Sequence, residues 1–349
     1  MLDRSLIWLP TGVALLALLT IMALGVGAMA ISFFDIFRAL FGFLPGISAV
    51  DAMTQSVVLE IRLPRVLLAI LVGAGLAVSG AAMQGLFRNP LADPGLIGVS
   101  AGAALGAASW IVLASSIGLL AWIAEVIGPF GGQFVLALAA FLGGLATTLI
   151  VYLITLKAGK MGATATLLLA GIAISALTGA ATGLLTYIAD DAQLRSITFW
   201  SMGSLGGADW RTLTVLIVLV LPAALALWWL SRALDALLLG EDTAGHMGFD
   251  LRVIRPILIL LVALVVGSAV GLTGMIGFIG LMAPHIARMM IGPGHRMLIP
   301  MSMIVGAVLL LAADSFARTV AAPAEIPIGI VTSLIGGPFF LYLLLRKFR

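Results

Sequence analysis

The residue types that carry most enzyme chemistry are scarce in this sequence of 349 residues. It has three histidines, His246, His285 and His295, and no cysteine. None of the histidines has a carboxylate or a second histidine at metal-ligand spacing, and without thiols there is no disulfide, thiolate ligand or cysteine nucleophile. No Gly-x-Ser-x-Gly elbow occurs. Gly159-Lys160 is followed by Met161, and no glycine stands where a phosphate loop needs one upstream. The sequence therefore reads as a non-enzyme, with no catalytic residue, no metal and no cofactor of its own. Two segments are suited to recognition instead. In Arg62-Leu63-Pro64-Arg65, two guanidinium groups flank a proline tolerated in a first helical turn. They could snorkel to an interface or grip acidic groups of a soluble partner. Glu241–Gly248 reads as a short helix, its acids at the dipole's positive end and Gly248 ending it. Composition alone favours an ordinary solvated loop.

The elements that must position these residues belong to a membrane protein. Hydrophobic residues make up 62% of the chain and charged residues 9%, against roughly 25% charged in a soluble domain. The bilayer is the solvent that such a surface needs. Its apolar runs are long and continuous, where a β-barrel would show alternating segments of about ten residues. A helix needs about 20 apolar residues to cross, and the runs predict ten spans: 6–30, 63–83, 95–115, 133–156, 164–188, 211–231, 255–272, 275–291, 298–317 and 327–345. The first could pass for a leader ending Ala28-Met29-Ala30, but it reads better as a span. Segments 33–44 and 193–204 read as surface helices, and the break at Gly271–Gly277 as a tight hairpin.

Lys/Arg counting gives the orientation. With the N-terminus inside, Arg4, Arg88, Lys157, Lys160, Arg232, Arg252, Arg255, Arg288, Arg296, Arg346, Lys347 and Arg349 face the cytoplasm. Arg38, Arg62, Arg65, Arg195, Arg211 and Arg318 face outward, so the bias is twelve to six. Both termini are then cytoplasmic. The same bias accounts for the net charge of +3 without nucleic acid. Only Asp314 sits well within an apolar run, which leaves little for the proton or ion relay of a secondary transporter. Gly98, Gly102 and Gly106, Gly179 and Gly183, and Gly267 and Gly271 each make a four-residue step that lets helices approach closely in lipid. Val72-Gly73 with Ser79-Gly80 matches Val266-Gly267 with Thr273-Gly274 at an offset of 194 residues. That is a faint inverted repeat relating spans 2–5 to spans 7–10.

Several longer segments resemble the FecCD-type permeases. They are Arg62–Arg65, Gly80–Ser100, Gly277–Arg288 and Glu325–Gly329, and with them the likeness runs from about residue 60 to the C-terminus. These permeases are the membrane subunits of type II ABC importers for cobalamin, haem and ferric siderophores. The resemblance implies a single all-α permease domain over residues 1–349 in the bacterial inner membrane. It implies a homodimer with one pathway at its interface, two cytoplasmic ATPase subunits that bind ATP and Mg²⁺, and one periplasmic binding protein. The loop 231–255 then holds the coupling helix, with Glu241, Asp242, Ala244, Gly245, His246 and Gly248 against the ATPase. Arg62, Arg65 and Arg318 fall at the positions that dock the binding protein.

In that family the fifth and tenth spans line the pathway. Here the fifth carries Ser175, Thr178, Thr182 and Thr186 on one helix face, and the tenth carries Thr332, Ser333 and Gly336. The hydroxyls could form a mildly polar wall or bond back to their own helix. The turn with Met161, Thr164 and Thr166 is the expected inner gate. The outward stretch Asp191–Asp209 looks most like haem permeases, so haem is the expected cargo, passing without an axial histidine. Ferric siderophore and cobalamin are the alternatives, and a secondary transporter or an intramembrane enzyme is the competing class.

Overall fold

The computed structural model describes residues 4–27, 29–44, 48, 50–114, 132–157 and 163–347. Ten helices answer to the ten expected spans: α1 (Arg4–Gly25), α4 (Leu63–Leu86), α5 (Val99–Leu113), α6 (Gly132–Lys157), α7 (Ala163–Ile188), α9 (Trp210–Trp229), α12 (Leu251–Thr273), α13 (Ile279–Ile291), α14 (His295–Val320) and α15 (Ile328–Lys347). Seven helical stretches are long and apolar enough to cross a bilayer unaided, while α5, α13 and α15 are shorter apolar helices. Between them lie α2 (Phe33–Phe41), α3 (Ala52–Ser56), α8 (Asp191–Met202), α10 (Ser231–Leu238) and α11 (Glu241–His246). A π-helical turn, Val57–Arg62, fuses α3 to α4. No strand occurs among the described residues.

The surface helices have local causes. Ser32 caps α2, accepting from Asp35 N. Asp190 and Gln193 form a reciprocal capping box at the start of α8, which satisfies donors that no intrahelical carbonyl can reach. The expected hairpin is present: residues 274–278 join α12 to α13.

The core pair is α4 against α14. At Gly73 an added Cβ would stand 2.4 Å from the carbonyl oxygen of Gly306, and at Gly80 it would stand 1.7 Å from that of Gly280 on α13. The helices therefore touch backbone to backbone, the close approach that small residues permit where apolar lipid gives little drive for association. The step Gly98, Gly102, Gly106 does the same for α5 on α6, where Gly102 meets Gly143 and Gly106 meets Ala139. Among the described residues, a Cβ added at Gly179 or Gly183 on α7 would meet nothing within 4 Å.

The packing carries the repeat that the sequence only hinted at. α4 packs along α14 as α12 packs along α6, α5 on α6 as α13 on α14, and α5 on α7 as α13 on α15. Gly73 opens onto α14, and its repeat counterpart Gly267 opens onto Phe141 of α6. Two of the three shorter apolar helices, the repeat counterparts α5 and α13, start from a left-handed residue, Gly98 and Phe278.

Candidate functional site

The end carrying residues 231–255 is called the inner end, after the orientation expected from the Lys/Arg bias, and the opposite end the outer one. At the outer end the three expected docking arginines come together, but as parts of a buried network. Arg62 donates to Leu24 O at 2.6 Å and to Met29 O. Arg318 donates to Ala23 O and Val26 O at 3.2 and 3.3 Å, and its Nε lies 3.0 Å from Asp314 Oδ2. Arg65 donates to Asp314 through Nε and Nη2, and grips Glu325 with two bonds of 2.9 Å. Arg62 and Arg318 are only 5% and 8% exposed. The snorkelling reading of the Arg62–Arg65 segment is thereby corrected, because carbonyls of the α1 end and the Asp314 carboxylate satisfy these cations inside the protein. Of the carboxylates they hold, Glu325 is the accessible one, its side chain 45% exposed.

Just below this network lies a cavity of about 570 Å³, lined by Ser100, Ser201, Met202, Met275, Gly277 and Ser333 among others. That is within the range of roughly 300–1,000 Å³ typical of ligand pockets. Its wall is made by three segments sewn backbone to backbone. Ser204 N donates to Thr273 O at 2.7 Å and Ile328 N to Gly203 O at 3.1 Å. Gly203 has φ +71, and a Cβ there would stand 2.4 Å from Met275 O. Both the left-handed turn and the close approach need glycine. The cavity thus sits where the end of α8, the α12–α13 hairpin and the start of α15 converge on α5.

The expected pathway residues divide. Thr178, Thr182 and Thr186 donate to Ile174 O, Thr178 O and Thr182 O. Their hydroxyls bond back to their own helix, and Thr178 is buried while Ser175, Thr182 and Thr186 are half-buried. The open face of α7 is instead apolar, with Ile172, Leu177, Leu184 and Tyr187 exposed beside Gly179 and Gly183. On α15, Thr332 is buried and donates to Gly329 O, whereas Ser333 reaches the cavity. Gly336 lies under the ring of Phe278. Of the expected gate, Met161 falls outside the described residues, and Thr164 and Thr166 stand in the first turn of α7.

At the inner end α11 stands out from the bundle. Ala244 is buried, while Asp242, Thr243, Gly245, His246 and Met247 are exposed. Arg255 Nη2 lies 2.8 Å from Glu241 Oε1, and His246 Nδ1 lies 2.8 Å from Asp242 O. Gly248, at φ +89, ends the helix. A neighbouring cavity of about 840 Å³ is bounded by Tyr152, Glu241, Asp250 and Arg252. Sequence reasoning missed α10 and the hydrogen-bonded pair that it makes: Asp235 Oδ1 lies 2.8 Å from both N and Nδ1 of His295. Sixty residues separate the partners, so no local spacing could reveal them. No group of three or more His, Asp or Glu side chains among the described residues could hold a metal ion.

Comparison with known proteins agrees with this geometry. The FecCD transport family matches the chain over residues 15–346. The hemin transport system permease protein HmuU of Yersinia pestis is 50% identical over 337 residues, 95% of this chain and 94% of that protein. The cobalamin import system permease protein BtuC of Halobacterium salinarum is 42% identical, over 84% of this chain and 75% of that protein. A metal-chelate type ABC transporter solved in an inward-facing conformation superposes with a TM-score of 0.81 at 35% identity. That match covers 97% of this chain and 98% of the other.

Proposed function

The chain belongs to the FecCD transport family, and on that premise we propose that it is the permease subunit through which an ATP-driven importer passes haem into the cytoplasm. That it is a multi-pass ABC importer permease follows from the family and the fold. The haem assignment rests on one observation: the hemin permease matches at higher identity, and over more of both chains, than the cobalamin permease. The apolar open face of α7 suits a flat, largely hydrophobic cargo, and no histidine lies near the outer cavity.

In this reading the binding protein docks at the outer end, around the Arg65–Glu325 pair. Two ATPase subunits seat on the exposed side of α11 at the inner end, and ATP binding there moves the α10–α11 loop. The bundle then alternates its access by rigid shifts between packed helices. The termini lie in the cytoplasm and the membrane is the bacterial inner membrane. The chain holds no cofactor, ATP and Mg²⁺ belonging to the partner subunit.

Uptake into proteoliposomes containing this chain, its ATPase and its binding protein tests the cargo. ATP-dependent accumulation of haem, with none of cobalamin or a ferric siderophore, is the expected result. Accumulation of cobalamin alone would move the assignment to the second relative's chemistry.

The partner across the pathway is a second copy of the chain, seated on the open face of α7. Gly179 and Gly183 support this, since among the described residues nothing lies within 4 Å of a Cβ added at either. Gly183→Leu should leave insertion and thermal stability of the single chain unchanged. It should convert the detergent-solubilised dimer to monomer and cut haem uptake at least tenfold. A dimer that survives the substitution would remove α7 from the interface.

A further inference from the structure

The inner ends of α4 and α14 meet at His295. Its ring is 1% exposed, and a Cβ added to Gly85 on α4 would stand 2.6 Å from its Nε2. Its Nδ1 and its backbone N both point at one oxygen of Asp235. An ionised carboxylate only accepts, so Nδ1 carries the proton and the ring is held in a single orientation. Asp235 lies on α10, the helix that leads directly into α11, and α10 packs against both α4 and α14.

From there the two helices stay locked for their whole length. Gly73 and Gly306 touch backbone to backbone midway, and Arg65 of α4 binds Asp314 of α14 at the outer end. A displacement applied to His295 cannot be absorbed by sliding one helix along the other, because interlocked backbones and a buried ion pair resist it. We infer that the Asp235–His295 pair is the pin through which movement of the α10–α11 loop enters the α4–α14 strut and reaches the outer arginine network. Asp235 is then a positioning residue for transport, acting through His295. The inference rests on the reading of α11 as the ATPase contact.

The chain contains no cysteine, which makes a direct test practical in the full complex with cysteine-free partner subunits. Asp235→Ala should still copurify with the ATPase and hydrolyse ATP at the basal rate. It should lose stimulation by the loaded binding protein and transport at least tenfold less haem per ATP consumed. Asp235→Asn keeps an oxygen that accepts from both donors, and should retain most of the coupling. In the double variant Asp235→Cys, His295→Cys, a short bifunctional thiol reagent should restore the uptake that the unlinked variant lacks.

A merely structural role predicts something else: a lowered melting temperature, with normal haem per ATP in the surviving complex. That result would overturn the pin, as would normal coupling in Asp235→Ala, loss of ATPase binding in that variant, or a link that blocks uptake. Failure of the unaltered chain to bind an ATPase at all would overturn the functional reading itself, and is scored separately by the copurification.

Discussion

The Asp314→Ala chain should yield little folded protein, with a loss of about 3–5 kcal/mol, the range for breaking a buried pair by removing one partner. Asp314 is fully buried and is the anion that Arg65 and Arg318 share. Without it, Arg318 keeps two long carbonyl bonds and Arg65 keeps Glu325, while two buried cations remain close together. Nor can either side chain easily reach water, since α1 closes over Arg318 and the α4–α14 contact fixes Arg65. Monodisperse yield and melting temperature in detergent measure the effect. Asp314→Asn, which keeps an oxygen acceptor but not the charge, should fall between the two. Wild-type stability in Asp314→Ala would mean that the network contributes nothing to folding. Because Arg62 and Arg318 are buried and bonded to backbone carbonyls, a charge reversal at either should lower the melting temperature as well as any docking. A docking defect is read only from a variant whose melting temperature is unchanged.

Gly80→Val should be the most damaging change in the apolar core. Its Cβ would fall 1.7 Å from the Gly280 carbonyl oxygen, 2.5 Å from its carbon and 2.8 Å from its Cα. All three are backbone atoms, so no rotamer change relieves the clash and α4 must separate from α13. Overpacking typically costs about 1–3 kcal/mol, sometimes more, and the upper end applies where only backbone can yield. Gly245→Ala is the control, since nothing lies within 4 Å of that position on α11. It should leave the melting temperature unchanged. Equal behaviour of the two variants would show that α4 and α13 do not meet as tightly as their carbonyls place them.

The ten spans were legible because long apolar runs leave the chain no alternative to helix in lipid. The two surface helices were legible from their mix of polar and apolar residues, and α11 from its acidic start and the glycine that ends it. The direction of a side chain was not. Arg62 and Arg65 were read as outward cations because their types and place allow it, and only the packing of α1 reveals what they bond. The α10 helix hid in a loop of ordinary composition, and its Asp235 finds His295 across a separation no periodicity spans. The hydroxyl stripe on α7 was seen correctly as one face, but spacing cannot say whether a threonine faces a pathway or its own carbonyl. The repeat was found at an offset of 194 residues. A second trace was passed over: Gly95-Leu96-Ile97-Gly98 and Gly277-Phe278-Ile279-Gly280 lead into α5 and α13.

The back-bonded threonines of α7 bear on how choosy such a permease can be. A hydroxyl that has committed its proton to Ile174, Thr178 or Thr182 has none to offer a passing molecule. Discrimination between isosteric compounds depends on polar groups left unpaired by the wrong one, and these three threonines, their protons committed to their own helix, add no free donor to α7, whereas Ser333 stands at the outer cavity. Under the proposed function, choice of cargo falls mainly to the soluble protein that delivers it, and uptake of a second cargo after exchange of that protein is the expected result.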